Sequence, residues 1–187
     1  SACGSAFIIG LKLPADEGIT GGIDLAEAKR ITEALADPHV IDFIAYAWGS
    51  QSNTLHWHVP DGHWPRMPHV ARIAELRAAA AGIPVMALGR IVDPNEAEAV
   101  LTAGQADLVG IGRAMITDPA WARKALRGRG YAIRPCVSCN TCWGSVATPS
   151  AITCDNNPAL ATPGEIDGVP AREQGLRRIV VVGAGVA

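Results

Sequence analysis

The chain has 187 residues, 49% of them hydrophobic and 18% charged, and a net charge of −2. That composition is globular. It argues against an electrostatic partner such as nucleic acid or an anionic membrane surface, and no apolar run approaches the roughly 18 residues of a membrane span. Four of the five cysteines crowd between 136 and 154, which suits a reduced, cytoplasmic compartment and a metal site better than a disulfide scaffold. The first residue is Ser1, not Met, and Ala187 falls inside a Gly-rich turn. Both ends are therefore expected to be cut.

Residues 7–128 alternate short apolar runs with amphipathic stretches. Phe7–Leu11, Val40–Ala47, Ile83–Leu88 and Leu108–Ile111 are strand-length and mostly lack in/out alternation, as buried parallel strands do. The intervening stretches carry helix starts. Asp24 with Glu27 has capping-box spacing, and Leu25, Ala28, Ile31 and Leu35 share one face. Asp93, Pro94 and Glu96 repeat the device, with Gly104 as the stop. Asp118-Pro119 opens a last helix through Leu126. Four βα units imply a parallel sheet, either doubly wound or barrel. From 128 to 176 the chain turns irregular and rich in Gly, Pro, Ser, Thr and Cys. Ile179–Val182 then forms a β-branched run ahead of Gly183-Ala184-Gly185.

Three motifs carry chemistry. Cys136, Cys139 and Cys142 are spaced by two residues, and Cys154 follows after eleven. Such a run with a returning fourth thiolate suits a [4Fe–4S] cluster; a four-cysteine zinc site shares the C-x2-C element and stays open. Gly89-Arg90 and Gly112-Arg113 end the last two strands of the regular region. Glycine lets backbone approach a phosphate and arginine supplies a forked donor. In (β/α)8 barrels the phosphate site lies after strands seven and eight, so these pairs favour the barrel. Gly183 and Gly185, behind a strand, suit a dinucleotide-binding turn.

These motifs in this order resemble the old yellow enzyme-type NADH:flavin oxidoreductases with an iron–sulfur cluster, the 2,4-dienoyl-CoA reductase / trimethylamine dehydrogenase family. Phe7–Glu17 resembles the fifth barrel strand and its loop. Leu88–Pro94 resembles the end of the seventh, and Asp107–Pro119 the eighth. The resemblance implies an α/β chain in three parts. Residues 1–128 would be the C-terminal half of an FMN-binding (β/α)8 TIM barrel. Residues 129–176 would be the irregular 4Fe-4S segment and linker, and 177–187 the first strand of a Rossmann-like domain for FAD or ADP. It further implies FMN phosphate contacts from Gly89, Arg90, Gly112 and Arg113, and cluster ligation by Cys136, Cys139, Cys142 and Cys154. Gly183 and Gly185 would approach the second nucleotide. Lys12 stands where the family usually has Arg beside the flavin ring: a cation remains, but the planar fork is lost.

The activity implied is hydride transfer between a small-molecule substrate and FMN, with electrons relayed through the cluster. NAD(P)H or an electron-transfer protein would be the redox partner, and the chain could assemble as a homo-oligomer. The cysteine spacing leans to the amine dehydrogenases and demethylases. An NAD(P)H-dependent enoate or 2,4-dienoyl-CoA reductase is the alternative, and a non-catalytic barrel with a structural zinc is the alternative of another class. No catalytic acid or base is identified, since the family's proton donors fall in the first half of the barrel. Loop 48–69, with Trp57, Trp64, His56, His58, His63 and His69, is expected at the catalytic mouth as polar and aromatic contact residues; His56 and His58 alternate and could ligate a metal. Cys3 is read as a plain thiol, and Asp16 and Glu17 as capping or solvated acids.

Overall fold

A computed structural model describes residues 6–165, together with Gly4, Arg178, Val180, Val182 and Gly183. Four parallel strands form one sheet: β1 (Gly10–Asp16), β2 (Phe43–Trp48), β3 (Val85–Ala87) and β4 (Leu108–Val109). Their spatial order follows their chain order. Lys12 pairs with Ala45, Ile44 with Val85, and Met86 with Leu108. A doubly wound sheet reverses strand order at a switch point; this one keeps a single direction, as a barrel wall does.

Helices α1 (Leu25–Leu35), α3 (Val70–Arg77) and α4 (Pro94–Thr102) are the crossovers between successive strands, and α5 (Arg113–Thr117) and α6 (Trp121–Leu126) follow β4. The capping signals operate. The Asp24 carboxylate accepts from the Glu27 N–H at 2.8 Å. At α4 the capping box closes fully, with Asp93 accepting from Asn95 and Glu96 accepting from the Asp93 N–H at 3.0 Å. Gly104, at φ +64°, ends the helix in the left-handed region, where a Cβ is penalised. Between the sheet and its helices, Ile44, Tyr46, Ile73, Leu76, Val85 and Val100 are almost wholly buried. The Tyr46 hydroxyl lies 3.0 Å from Thr32 Oγ1, and Thr32 also donates to the Ala28 carbonyl, so these two buried hydroxyls are paired, whereas the buried Trp48 indole N–H has no partner among the described residues.

Two expectations need correction. The first strand is Gly10–Asp16, not Phe7–Leu11; Phe7, Ile8 and Ile9 are exposed. Apolar content pointed at the wrong end of the segment. β1 carries Pro14, opposite Ala47 of β2, and its register with β2 shifts between Pro14 and Asp16. Loop 48–69 contains a short helix α2 (Leu55–His58), and the irregular segment contains a 3-10 turn (Gly130–Ala132) and α7 (Thr141–Val146). In the region expected to begin a nucleotide-binding domain, Val180 and Val182 are exposed and outside any strand. Ile179, Val181 and Gly185 lie outside the described residues, as does Cys3.

Asp118 ties the barrel-like part to the cysteine segment. Its buried carboxylate accepts from Lys124 Nζ, from the Ala120 N–H at 3.0 Å and from the Arg134 N–H at 2.8 Å. Burial pushes this carboxyl up, but Lys124 and the two N–H groups outweigh it and hold it below its usual value. Stability from such a group is present above the unfolded-state pKa and is lost as pH falls through the depressed folded value. In the full-length protein Asp118→Asn is expected to cost about 2 kcal/mol at pH 7 in urea unfolding, the order expected for a disrupted buried charged hydrogen bond. The difference from wild type should hold between pH 7 and about 5 and shrink below about pH 4. A difference that grows on acidification would contradict this.

Candidate functional site

The strand-end pairs shape the site first. Gly89 takes φ +109° and Arg90 φ +52°. Two successive left-handed residues turn the chain sharply off β3, and for the arginine that conformation costs roughly 1–2 kcal/mol. Glycine at 89 also clears His69: a Cβ there would meet the His69 ring at 3.0 Å. At β4, Gly112 precedes α5, and a Cβ on it would meet nothing within 4 Å. The backbone at Gly112 therefore faces open space.

Arg90, Gly112 and Arg113 line one cavity of about 220 Å³, along with Gly89, Ser138 and Cys136. Arg90 Nε donates to Ser138 Oγ at 3.2 Å and Nη2 to the Gly62 carbonyl at 3.3 Å. Arg113 Nη1 donates to Asn140 Oδ1. Among the described residues neither guanidinium has a carboxylate partner, whereas Arg30, Arg66, Arg72 and Arg77 each do. Burial pulls the Arg113 guanidinium below its usual value; the cysteine sulfurs oppose that shift and Arg90 adds to it. A half-buried cation without a counter-charge is costly, and an anion in this cavity would relieve it.

Arg113 and Cys136 also line a second, narrower cavity, whose wall includes Cys139, Cys142, Cys154 and Thr117. All four cysteines are free thiols; Cys136 and Cys142 are buried and Cys139 exposed. Cys154 lies on the returning chain, 3.5 Å from Thr117 Oγ1 on α5. Asn157 fixes that return. It is buried, donates to the Ile116 carbonyl and to Glu165, and accepts from Arg134. Among the described residues no three His, Cys, Asp or Glu side chains stand close enough to hold a metal ion. The cysteines thus share a cavity without forming the converged set of a mononuclear site.

Lys12 stands apart, exposed on β1. It lines a third cavity with Tyr46, Trp48, His58 and His69. Leu88, Gly89 and His58 line both this cavity and the arginine cavity, so the two adjoin at the end of β3. Loop 48–69 covers the mouth with aromatic rings. His69 stacks on Trp48 with ring centroids 4.7 Å apart, and the Arg72 guanidinium lies over the same Trp48 ring, 5.7 Å from its centroid. His56 packs on Trp57 and Trp64, while His58 packs on Trp143. The alternating histidines accordingly go to different neighbours, and do not form a shared ligand pair. Ser138, Asn140, Thr117 and Trp143 escaped the sequence reading. Only the tolerance of Asn for left-handed backbone hinted at Asn140.

A family model described as "NADH:flavin oxidoreductase / NADH oxidase family" matches residues 1–131. The chain is 34% identical over its whole length to a protein named NADH oxidase from Thermoanaerobacter brockii, covering 28% of it. It is 32% identical over 98% of its length to a probable N-methylproline demethylase from Rhizobium meliloti, covering 27% of that protein. The chain thus spans about a quarter of these relatives. Among solved structures, histamine dehydrogenase from Rhizobium sp. 4-9 matches with a TM-score of 0.72 at 25% identity, over 82% of this chain and 22% of the other.

Buried His69 supplies a test of the mouth. Its Nε2 lies 2.9 Å from the Trp57 carbonyl, so Nε2 carries the proton in the neutral ring. Burial lowers its pKa, Arg72 adds to that, and the Trp57 carbonyl and Asp16 oppose it. A histidine held neutral in the fold loses stability for the protein as pH falls through its unfolded value near 6.5. Nitrogen NMR is expected to find His69 as the Nε2–H tautomer at pH 6.5, titrating below that pH. A charged ring at pH 6.5 would contradict the packing.

Proposed function

The chain belongs to the NADH:flavin oxidoreductase / NADH oxidase family, and from that premise we propose that it supplies the FMN-phosphate end and the cluster thiolates of an FMN- and [4Fe–4S]-dependent oxidoreductase acting on amines. One observation carries the reading. Two guanidiniums without carboxylate partners among the described residues line a single cavity, and its wall is shared with the cavity of the four cysteines.

The residues suit the groups. Arg90 and Arg113 offer forked donors to a phosphate dianion, and Gly112 leaves room for it beside the backbone. Lys12, in the adjoining cavity, would stabilise negative charge at the ring end of the flavin. Cys136, Cys139, Cys142 and Cys154 would close on a four-iron cluster; their spacing supports this over a single zinc, and all four line one cavity. When bound, FMN would supply hydride exchange with a substrate, and the cluster single-electron transfer. The chain's own part is to anchor the phosphate, hold the two cofactors on either side of Arg113, and exclude water with the Trp48–His69 stack. Residues 1–128 would be the second half of the barrel, 129–176 the cluster segment, and 177–187 the start of a domain in which Gly183 and Gly185 approach FAD or ADP.

The amine lean rests on the cysteine spacing and on two relatives, a demethylase and a dehydrogenase of amines by name. A second reading, NAD(P)H-dependent reduction of an enoate or dienoyl thioester, uses the same two cofactor sites; the relative named NADH oxidase supports NADH as the electron donor.

In the full-length protein, Arg90→Ala and Arg113→Ala are each expected to weaken FMN binding about ten- to a hundredfold, corresponding to roughly 1.5–3 kcal/mol per charged hydrogen bond. Flavin retained after dialysis measures it, and unchanged retention in both variants contradicts the phosphate site. Anaerobic addition of an N-methylated secondary amine should bleach the flavin absorbance of the wild type. Bleaching by NADH but by no amine would move the assignment to the second reading.

A further inference from the structure

We infer that Ser138 and Asn140, the two residues flanking Cys139 in the cysteine loop, are positioning residues for the FMN phosphate: the loop that would hold the cluster also aims both phosphate arginines. The inference rests on the phosphate reading of the arginine cavity. Its own evidence is the pattern of contacts. Arg90 comes from the end of β3 and Arg113 from the start of α5, yet each is held by a side chain of the same short loop. Ser138 Oγ accepts from Arg90 Nε at 3.2 Å, and Asn140 Oδ1 accepts from Arg113 Nη1.

The loop backbone is bent to make this possible. Ser138 takes φ +58° and Asn140 φ +65°. Asparagine tolerates that region, but for serine it costs roughly 1–2 kcal/mol, a cost that persists only where the surroundings hold the residue there. The two turns put Ser138 inside, 1% exposed, while Cys139 between them stays exposed. Asn140 is itself anchored: its Nδ2 donates to the Val59 carbonyl at 2.9 Å, which fixes the amide so that its oxygen faces Arg113. Gly62 supplies the second hold on Arg90, so loop 48–69 braces the same arrangement from the opposite side. A guanidinium held by one or two neutral acceptors keeps its remaining donors for an anion. Serine and asparagine serve here where a carboxylate would neutralise the charge and compete with the phosphate.

Titrating FMN into the flavin-free full-length protein, followed by fluorescence quenching, tests the inference. Ser138→Ala and Asn140→Gly remove the acceptor; glycine suits the left-handed backbone at 140. Each is expected to bind FMN roughly three- to tenfold more weakly, the scale of one net hydrogen bond. If Asn140 acts through Arg113, the double variant Arg113→Ala/Asn140→Gly should bind no more weakly than Arg113→Ala alone, the non-additivity expected of residues in one network. Additive losses mean a general loosening of the loop and overturn the inference, whether or not iron is lost with them. Unchanged affinity in Ser138→Ala and Asn140→Gly, with loss in Arg90→Ala and Arg113→Ala, overturns it and leaves the phosphate site standing. Unchanged affinity in all four variants removes the phosphate site and the inference with it.

Discussion

The Arg113 guanidinium is the constraint from which the rest of the site follows. It is partly buried, has no carboxylate partner among the described residues, and faces two cavities at once. Burial weakens its hold on the proton and the cysteine sulfurs oppose that effect. Such a cation is stable only if anions come to it, and both groups proposed here are anionic: a phosphate on one side, a set of thiolates on the other. The fold serves this placement. Four parallel strands in chain order bring the ends of β3 and β4 side by side, so that Gly89-Arg90 and Gly112-Arg113 open into one cavity. Asp118 and Asn157 then pin the following segment against α5, which is what carries the cysteines to the far side of Arg113.

Much of this was legible in the sequence where the signal was local. The capping devices depend on residues within one turn: the box at Asp93 forms in full, and at Asp24 the cap forms while the Glu27 carboxylate pairs with Arg30. The Gly-Arg pairs ended two consecutive strands, and glycine before arginine has few other reasons to recur at that place. The cysteine spacing marked one loop and one return, and the four thiols do line one cavity. The first strand failed because its location depends on pairing. Phe7–Ile9 are the more apolar residues, but the ladder with Phe43–Trp48 fixes Gly10–Asp16, where the Phe43 ring lies across Gly10, 2.2 Å from where a Cβ would stand. No window of sequence shows that contact.

The positioning residues were out of reach for a related reason. Ser138 and Asn140 sit in the unspecified places of a C-x2-C run, where the cysteines alone attract notice. Their role appears only when the loop is folded onto arginines 48 and 27 residues away in the chain. The aromatic mouth is similar. The alternating pair His56 and His58 allowed a metal reading, yet His56 packs on Trp57 and Trp64 and His58 on Trp143, an order that comes from tertiary packing.

The central claim is that one cation separates a flavin phosphate from an iron–sulfur cluster. Elemental and cofactor analysis of anaerobically purified full-length protein tests it most directly. The account predicts about one FMN, about four iron and about four acid-labile sulfide per chain. One zinc per chain with neither sulfide nor flavin would contradict it.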